Sequence, residues 1–440
     1  MRDYFNQLAE TVCAQAAGID RISLSYSAES SDFIRFNHAA VRQAGHVQQR
    51  YGTVSVVAGQ RRASASLALC GDLAADAQAL LAERAALCEQ LPLIPEDAYL
   101  LLPDTVTSTE RVAQGLLPSA SQVIEAVAKH AAQTDFVGFY AGGPVVRGFA
   151  DSRGQRNWHG VASFQFEWCL YRAADQAVKT SYAGTHWDEA VFARKMQQAR
   201  EQATLLARPR KTLAPGAYRA YFSPVAVADL LGTLSWGGFG IKSVKTGVST
   251  LILAHRGQAQ LHPAVALTEA TGKGIAPCFQ SDGFVKPDAV ALVRAGQVVD
   301  TLNSPRSATE YGVQANGCNG AETPESLDLG PGSLPDADVL KALGTGVYLS
   351  DLHYLNYSDR QASRMTGMTR FACFWVEDGR LVAPMAVMRF DDAFLRMFGS
   401  GLIALTQTAE LAPESATYGA RQLRSITAPG ALVEGFRFTL

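Results

Sequence analysis

The chain has 440 residues, more than one hydrophobic core usually organises, so two or three domains are expected and a single small domain is excluded. Hydrophobic residues make up 48%, yet no run reaches the roughly 18 apolar residues of a transmembrane helix, and the opening MRDYFNQLAE has no apolar signal region, which points to the cytoplasm. With 39 Lys plus Arg against 41 Asp plus Glu the net charge is -2 and no basic stripe stands out, which argues against nucleic-acid binding; charged residues are only 18%, below the roughly 25% of an average soluble chain, as expected where a partner covers part of the surface.

The first predicted element is a helix with Phe5, Leu8, Val12 and Ala16 on one face, stopped by Gly18. Strands follow in RISLSYSA, DFIRFN and QQRYGTVSVVAG. Asp72 then caps a helix that places Leu73, Ala77, Leu80 and Leu87 on one side and ends at Pro92. Pro92, Pro95, Pro103 and Pro118 punctuate a connection to a second α/β unit, with a helix near 119–133. In VASFQFEWCLY, Phe164, Phe166, Trp168 and Leu170 alternate with Ser163, Gln165, Glu167 and Cys169, which predicts a half-buried strand with one wetter face. The next helix is expected to start near Thr185, with Asp188 three residues on, and to run towards Pro209.

The segment 205–216 is the best domain boundary. Beyond it YRAYFSP reads as a strand, and Ser223-Pro224 as an N-cap with proline at the first position of a short helix, VAVADLLGTL. Asp378-Gly379 between apolar runs predicts a hairpin, DDAFLRMFG a short helix ending at Gly399, and ALVEGFRFTL a terminal strand with Phe436, Phe438 and Leu440 on one face. The fold class is therefore α+β. An N-terminal α/β subdomain (1–100) and a central α/β subdomain (101–208), with mixed sheet and helices, precede a β-rich C-terminal domain (209–440).

Few residues carry a recognisable catalytic pattern. The seven cysteines (Cys13, Cys70, Cys88, Cys169, Cys278, Cys318 and Cys373) never fall in C-x-x-C spacing, which argues against disulfides and zinc knuckles. The eight histidines are isolated, so the paired imidazoles of a helical zinc site are missing, and His186 with Asp188 and Glu189 reads as a solvated helix cap. WGGFGIKSVKTG matches no phosphate-binding loop and reads as a β-turn region. The densest polar stretch is GTGVYLSDLHYLNYSDRQASRMTGMTRFACFW, read first as an alternating strand with a polar loop; a Cys373, His353 and Asp359 nucleophile set is a remote alternative within it.

That stretch resembles the C-terminal signature of the TldD/PmbA (TldE) family of peptidase subunits, in which a G-L-Y-V-T-x-L-x-Y-x-N strand leads to T-R-x-G-x-F-x-I-E-x-G and a P-V segment. GVYLSDLHYLN, TRFACFWVEDG and APMAVMRF stand in those places, although Phe371, Ala372 and Cys373 fill a turn that is usually small, polar or glycine-containing. IRFNHAAVRQAG, FADSRG, PGAYRAYFSPVAVADLLG, GVSTL, the SDG at 281–283 and ANGCNG follow in the family's order, so the likeness spans nearly the whole chain.

The resemblance implies a TldE/PmbA-type subunit. TldD-type subunits carry a His-Glu-x-x-x-His helix and a later cysteine, whereas here Val225, Ala226, Val227 and Leu230 occupy the helix and no cysteine follows Cys373. By the resemblance this chain is no catalyst alone and holds no cofactor. Zinc is expected in a TldD-like partner forming a heterodimer with it, or else the chain pairs with itself as a homodimer. The substrate is an unfolded protein or peptide held as an extended strand, with Arg35, Asn37, His353, Tyr354, Asn356 and Arg370 facing it. The alternatives are a non-proteolytic homodimeric peptide-binding modulator and a self-sufficient hydrolase using Cys373 or an unrecognised metal site.

Overall fold

The computed structural model describes residues 1–440, whose strands form one seven-stranded and one 13-stranded sheet. Helix α1 (Arg2–Val12) buries Phe5, Leu8, Ala9 and Val12 and stops before Gly18, which sits in a following turn. Strands β1 (Arg21–Asn37) and β2 (Ala40–Ala58) form one long antiparallel hairpin. The break expected between RISLSYSA and DFIRFN does not exist. Glu29 and Ser31 look like loop residues in sequence but are buried in the strand, at 2% and 0% exposure, in a polar seam described below. Strand β3 (Arg61–Ala68) follows, then α2 (Leu73–Gln90), whose cap Asp72 accepts from the Ala75 amide at 2.9 Å.

The second stretch adds β4 (Thr109–Ala113), α3 (Ala120–His130), β5 (Asp135–Asp151), β6 (Arg156–Ala173), β7 (Gln176–Gly184) and α4 (Glu189–Leu205). A reciprocal Ser119–Gln122 capping box opens α3. The cap of α4 is Asp188, which accepts from the Ala190 amide, and not Thr185, whose hydroxyl bonds His186 instead. The sheet order is β3-β2-β1-β5-β6-β4, with β7 also on β6, so residues 1–100 and 101–208 share one sheet through the β1–β5 pairing.

One face of this sheet carries the helices. Phe164, Phe166 and Trp168 pack with Phe192 and Met196 of α4 and Val123 and Val127 of α3, while Phe5 and Leu8 pack with Ile22, Tyr26, Leu80 and Trp158. The other face of β6, expected to be wetter, is covered as well: Asn157, His159, Ser163 and Gln165 are all buried. What covers it is the C-terminal part of the chain.

There, β8 (Gly216–Phe222) leads through the Ser223 cap into α5 (Pro224–Leu234). Strands β9 (Leu267–Glu269), β10 (Val290–Arg294), β11 (Gln297–Val298), β12 (Ser326–Leu329), β13 (Gly346–Leu349), β14 (Asp351–Asp359), β15 (Arg364–Arg370), β16 (Phe374–Glu377), β17 (Arg380–Pro384), β18 (Arg389–Ala393), β19 (Leu402–Pro413) and β20 (Ser425–Phe438) complete the second sheet. Its main path runs β11-β10-β9-β12-β20-β8-β13-β16-β17, with β14, β15, β18 and β19 branching from it. The β16–β17 turn has both Asp378 and Gly379 at positive φ, as its sequence requires. Asp391 and Asp392 lie in β18 rather than in the predicted helix, which is reduced to Phe394–Met397, and ion pairs to Arg364 and Arg396 hold them there. Phe436 and Phe438 are buried as expected, but Leu440 lies past the end of β20 and is 71% exposed.

Two connecting segments of this second part cross to the polar face of the first sheet. In residues 271–286, the carbonyls of Thr271 and Gly274 accept from Arg111, both at 2.6 Å, and Gly283 accepts from Gln155 at 2.7 Å. The Ile275 carbonyl lies 3.0 Å from His159 Nε2. In residues 414–424, the Ser415 carbonyl accepts from Gln165, and Arg421 enters the seam between β1, β5 and β6. The Gly143 carbonyl accepts from Arg421, and glycine is required there by the close approach of β1 and β5, because a Cβ at its positive φ would strike the Ser30 carbonyl.

Candidate functional site

Helix α5 is apolar on two sides but not on a third. Ala226, Val227, Leu230, Leu231 and Leu234 enter the core, whereas Val225, Ala228, Asp229, Gly232, Thr233 and Trp236 recur at helical spacing along a cleft of about 530 Å³. The small side chains at 228 and 232 leave the floor open. Facing them are Gln165 and Glu167 from β6, Lys179 and Tyr182 from β7, residues 352–355 of β14, and Glu414 with Arg424. The cleft therefore lies between the two sheets, beside the crossing segment 414–424.

Its charges are unevenly matched. Lys179 Nζ lies 3.3 Å from Asp351 Oδ2, and Arg424 pairs with Glu414 at 3.4 Å, while Glu167 and Asp229 belong to no ion pair. Burial, reinforced by the charge of Asp351, pushes the Asp229 carboxyl well above the ordinary carboxylate range. Asp351 is raised by its own burial, partly offset by Lys179. Burial works against the charge on Lys179, but Asp351, Glu167 and Asp229 together raise it above its usual value. His353 is lowered by burial and by the positive fields of Arg370 and Lys179, so its imidazole is neutral at neutral pH.

The raised carboxyl makes a stability prediction. A carboxyl with a raised folded-state value is penalised above that value and relieved as pH falls and it takes up a proton. Asp229→Asn is expected to be more stable than the parent by about 1–3 kcal/mol at pH 8, with the gap closing towards pH 4. Urea unfolding at the two pH values measures it, and a less stable Asn variant at pH 8 would show that the carboxylate is held by compensating bonds.

Strand β14 shapes another wall. It pairs only with β15, and its register breaks between His353 and Asn356, where Tyr354 takes positive φ. Tyr354 projects 75% exposed at the cleft, its ring centroid 4.3 Å from that of His353. Of the residues singled out in the sequence, His353 and Tyr354 line this cleft. Arg370 contributes only its field and borders a separate small pocket of about 60 Å³, its guanidinium 5.2 Å from the Phe371 ring centroid. Asn356 is exposed past the bulge, its Oδ1 accepting from the Tyr357 amide. Arg35 and Asn37 are exposed at the far end of the β1–β2 hairpin, Arg35 over the Phe139 ring, and do not line the cleft.

The Cys373, His353 and Asp359 set is not assembled. Cys373 is 3% exposed, its thiol donates to the Arg370 carbonyl at 3.2 Å, and burial pushes it up to about 11. Asp359 caps the Ala362 amide in solvent, six residues along the strand from His353, or roughly 20 Å. No group of three or more His, Cys, Asp or Glu side chains is placed to hold a metal ion. At the α4 cap Glu189 accepts from Lys129 and lies 2.9 Å from His130 Nε2. WGGFGIKSVKTG forms a turn and a short helix, Ile241–Lys245, rather than a β-turn alone, because Glu322 accepts from the Lys242 amide.

Sequence reasoning missed Glu167, Lys179 and Asp229. Asp229 carried a signal, as the lone charge in an otherwise apolar helix. Glu167 occupied the polar phase of β6, and Lys179 gave no signal at all.

Residues 215–440 match the family model described as the PmbA/TldA metallopeptidase C-terminal domain. No curated protein matches the chain. Among solved structures, TldE from Thermococcus kodakarensis is similar with a TM-score of 0.82 at 11% identity, covering 99% of this chain and 100% of its own. A candidate modulator of a DNA gyrase from Thermotoga maritima gives 0.78 at 14% identity with 100% of both chains covered. A candidate modulator of DNA gyrase from Bacteroides thetaiotaomicron gives 0.75 at 13% identity, covering 100% of this chain and 98% of its own. At these identities the likeness is one of fold.

Proposed function

This chain belongs to the TldD/PmbA family, and from that premise we propose that it is a TldE/PmbA-like subunit of a cytoplasmic metallopeptidase, acting on unfolded proteins or peptides with a His-Glu-x-x-x-His partner. The observation that carries this reading is the apolar opening of α5. Where the resemblance places imidazoles, at the opening of the matched domain, stand Val225, Ala226, Val227 and Leu230, three of them in the core. Zinc wants three or four nitrogen, sulfur or oxygen ligands. The donors around this helix are Asp229, Glu167, His353 and Asp351, with the Lys179 ammonium already on Asp351, and no three of them are grouped so as to fit the ion.

The chain's own contribution is to bind and orient. The open floor of α5 and the unpaired edge of β14 suit an extended segment, whose backbone groups can be satisfied along a strand edge without demanding a particular sequence. Pairing with a second subunit is supported by β2, which meets β3 only from Tyr51 onwards. Residues 40–50 are thus left with a free strand edge, along which Val41 and Val47 are exposed. The alternative, a homodimeric peptide-binding modulator without proteolysis, draws support from the two structural relatives described as candidate gyrase modulators.

Co-expression tests the proposal. An unfolded model peptide is expected to be cleaved by the chain together with its His-Glu-x-x-x-His partner, in a chelator-sensitive way, and not by the chain alone. Stoichiometric zinc and chelator-sensitive cleavage in the lone chain would overturn it. Peptide binding without any partner or cleavage would favour the modulator.

A further inference from the structure

The charges that line the cleft do not cancel. The cleft offers two cations, and each is already committed, Lys179 to Asp351 and Arg424 to Glu414. Glu167 from β6 and Asp229 from α5 make no ion pair of their own, and the single charge of Lys179 acts on both of them as well as on Asp351, so three carboxylates share one cation and the charge of Glu167 disfavours ionisation of Asp229. One stands on a strand of the first sheet and the other on a helix of the C-terminal part, and they meet only because the cleft brings β6 and α5 together. Asp229 stands on the open face of its helix, between Ala228 and Gly232, where a side chain lying over the small residues passes it. The only histidine on the cleft wall, His353, is neutral and brings no compensating charge.

Resting on the reading of this cleft as a peptide site, we propose that it selects an extended peptide bearing a cationic group, a Lys or Arg side chain or a free N-terminal amine, seated between Glu167 and Asp229. An ammonium or guanidinium there completes the ion pairs the chain leaves open, in a cleft where low dielectric strengthens them. It also relieves the mutual repulsion of Glu167, Asp229 and Asp351, so seating the cation is accompanied by loss of the proton the buried acids otherwise retain. The aromatic rings of Tyr354 and Trp236, exposed at the cleft, fit the same occupant, since both attract a cation to their faces.

The test is a binding series with the chain alone and with its co-expressed partner. The probes are a blocked Val/Thr heptapeptide with one central Lys, its norleucine and Glu counterparts, and the norleucine peptide with a free N-terminus. Calorimetric affinities are expected to favour Lys over norleucine by about 10- to 100-fold at low salt, with Glu weaker than norleucine. In the Glu167→Gln, Asp229→Asn double variant the Lys-to-norleucine ratio is expected to fall to about one. Preference for the free N-terminus with no effect of the blocked Lys also supports the proposal and identifies the terminal amine as the source. Equal affinity for all the peptides overturns the charge selection and leaves the peptide reading standing. Absence of binding by every peptide, alone and with the partner, overturns both.

Discussion

Arg421→Ala is expected to lower the unfolding free energy by about 3–5 kcal/mol, the range for removing one partner from a buried charged network. Arg421 is 3% exposed, and its guanidinium donates to the Gly143 carbonyl at 2.9 Å and to the carbonyl and hydroxyl of Ser163 at 2.8 and 3.0 Å. Its own amide donates to Glu29 at 3.4 Å, and Glu29 also accepts from Ser31 at 2.8 Å. Truncation removes the guanidinium donors of two buried carbonyls and takes away one of the two cations, Arg421 and Arg147, whose charges act on the buried Glu29. It also releases the segment 414–424 that forms one wall of the cleft. Arg421→Lys keeps the charge but cannot present a fork to two carbonyls, so it is expected to recover only part of the loss. Urea unfolding of both variants measures this, and a loss below about 1 kcal/mol for the alanine variant would show that backbone contacts alone hold the strap.

The second large effect is a loss of stability in mild acid, traced to His159. This side chain is 1% exposed, with Nε2 facing the Ile275 carbonyl and no partner for Nδ1. Burial lowers its value from 6.5 to about 4; the Ile275 carbonyl opposes that shift, and the charges of Arg111, Arg147 and Lys286 add to it. Between those two values the unfolded chain binds a proton that the folded chain refuses. Stability from this residue is therefore complete above pH 6.5 and falls as pH drops towards 4, by about 3 kcal/mol in total. The raised carboxyls of Asp229 and Asp351 act in the opposite direction as they take up protons, so the difference between parent and His159→Gln isolates the histidine. The Gln variant is expected to cost a little stability at pH 8 and to lose the acid slope. An unchanged slope in the variant would assign acid lability elsewhere.

Both residues stand where the sequence was least informative. His159 looked like one of eight isolated histidines, and Arg421 like any arginine in a polar loop. Each matters because a C-terminal segment crosses onto the first sheet, and a contact 116 residues away (His159 to Ile275) or 258 residues away (Arg421 to Ser163) leaves no local periodicity. The same holds for the cleft. His353 and Tyr354 were found through a dense polar strand, but Lys179 and Glu167 reach the cleft from the other sheet.

What the amino-acid sequence determined by itself was local and ordered. The alternation in β6, the Asp72 and Ser223 caps and the Asp378-Gly379 turn are set by neighbours within a few residues, and each formed as its chemistry requires. The order of weak motifs likewise carried the family, which the match over residues 215–440 shows. Tertiary structure alone decided which polar residues are buried. Glu29 and Ser31 became strand because Arg421 satisfies their seam, and the wetter face of β6 became an interface because two connecting segments cover it. Asp229 and Glu167 became a candidate binding pair because two sheets meet around α5. Burial of a charge depends on what covers it, and that cover is supplied by residues hundreds of positions away in the chain.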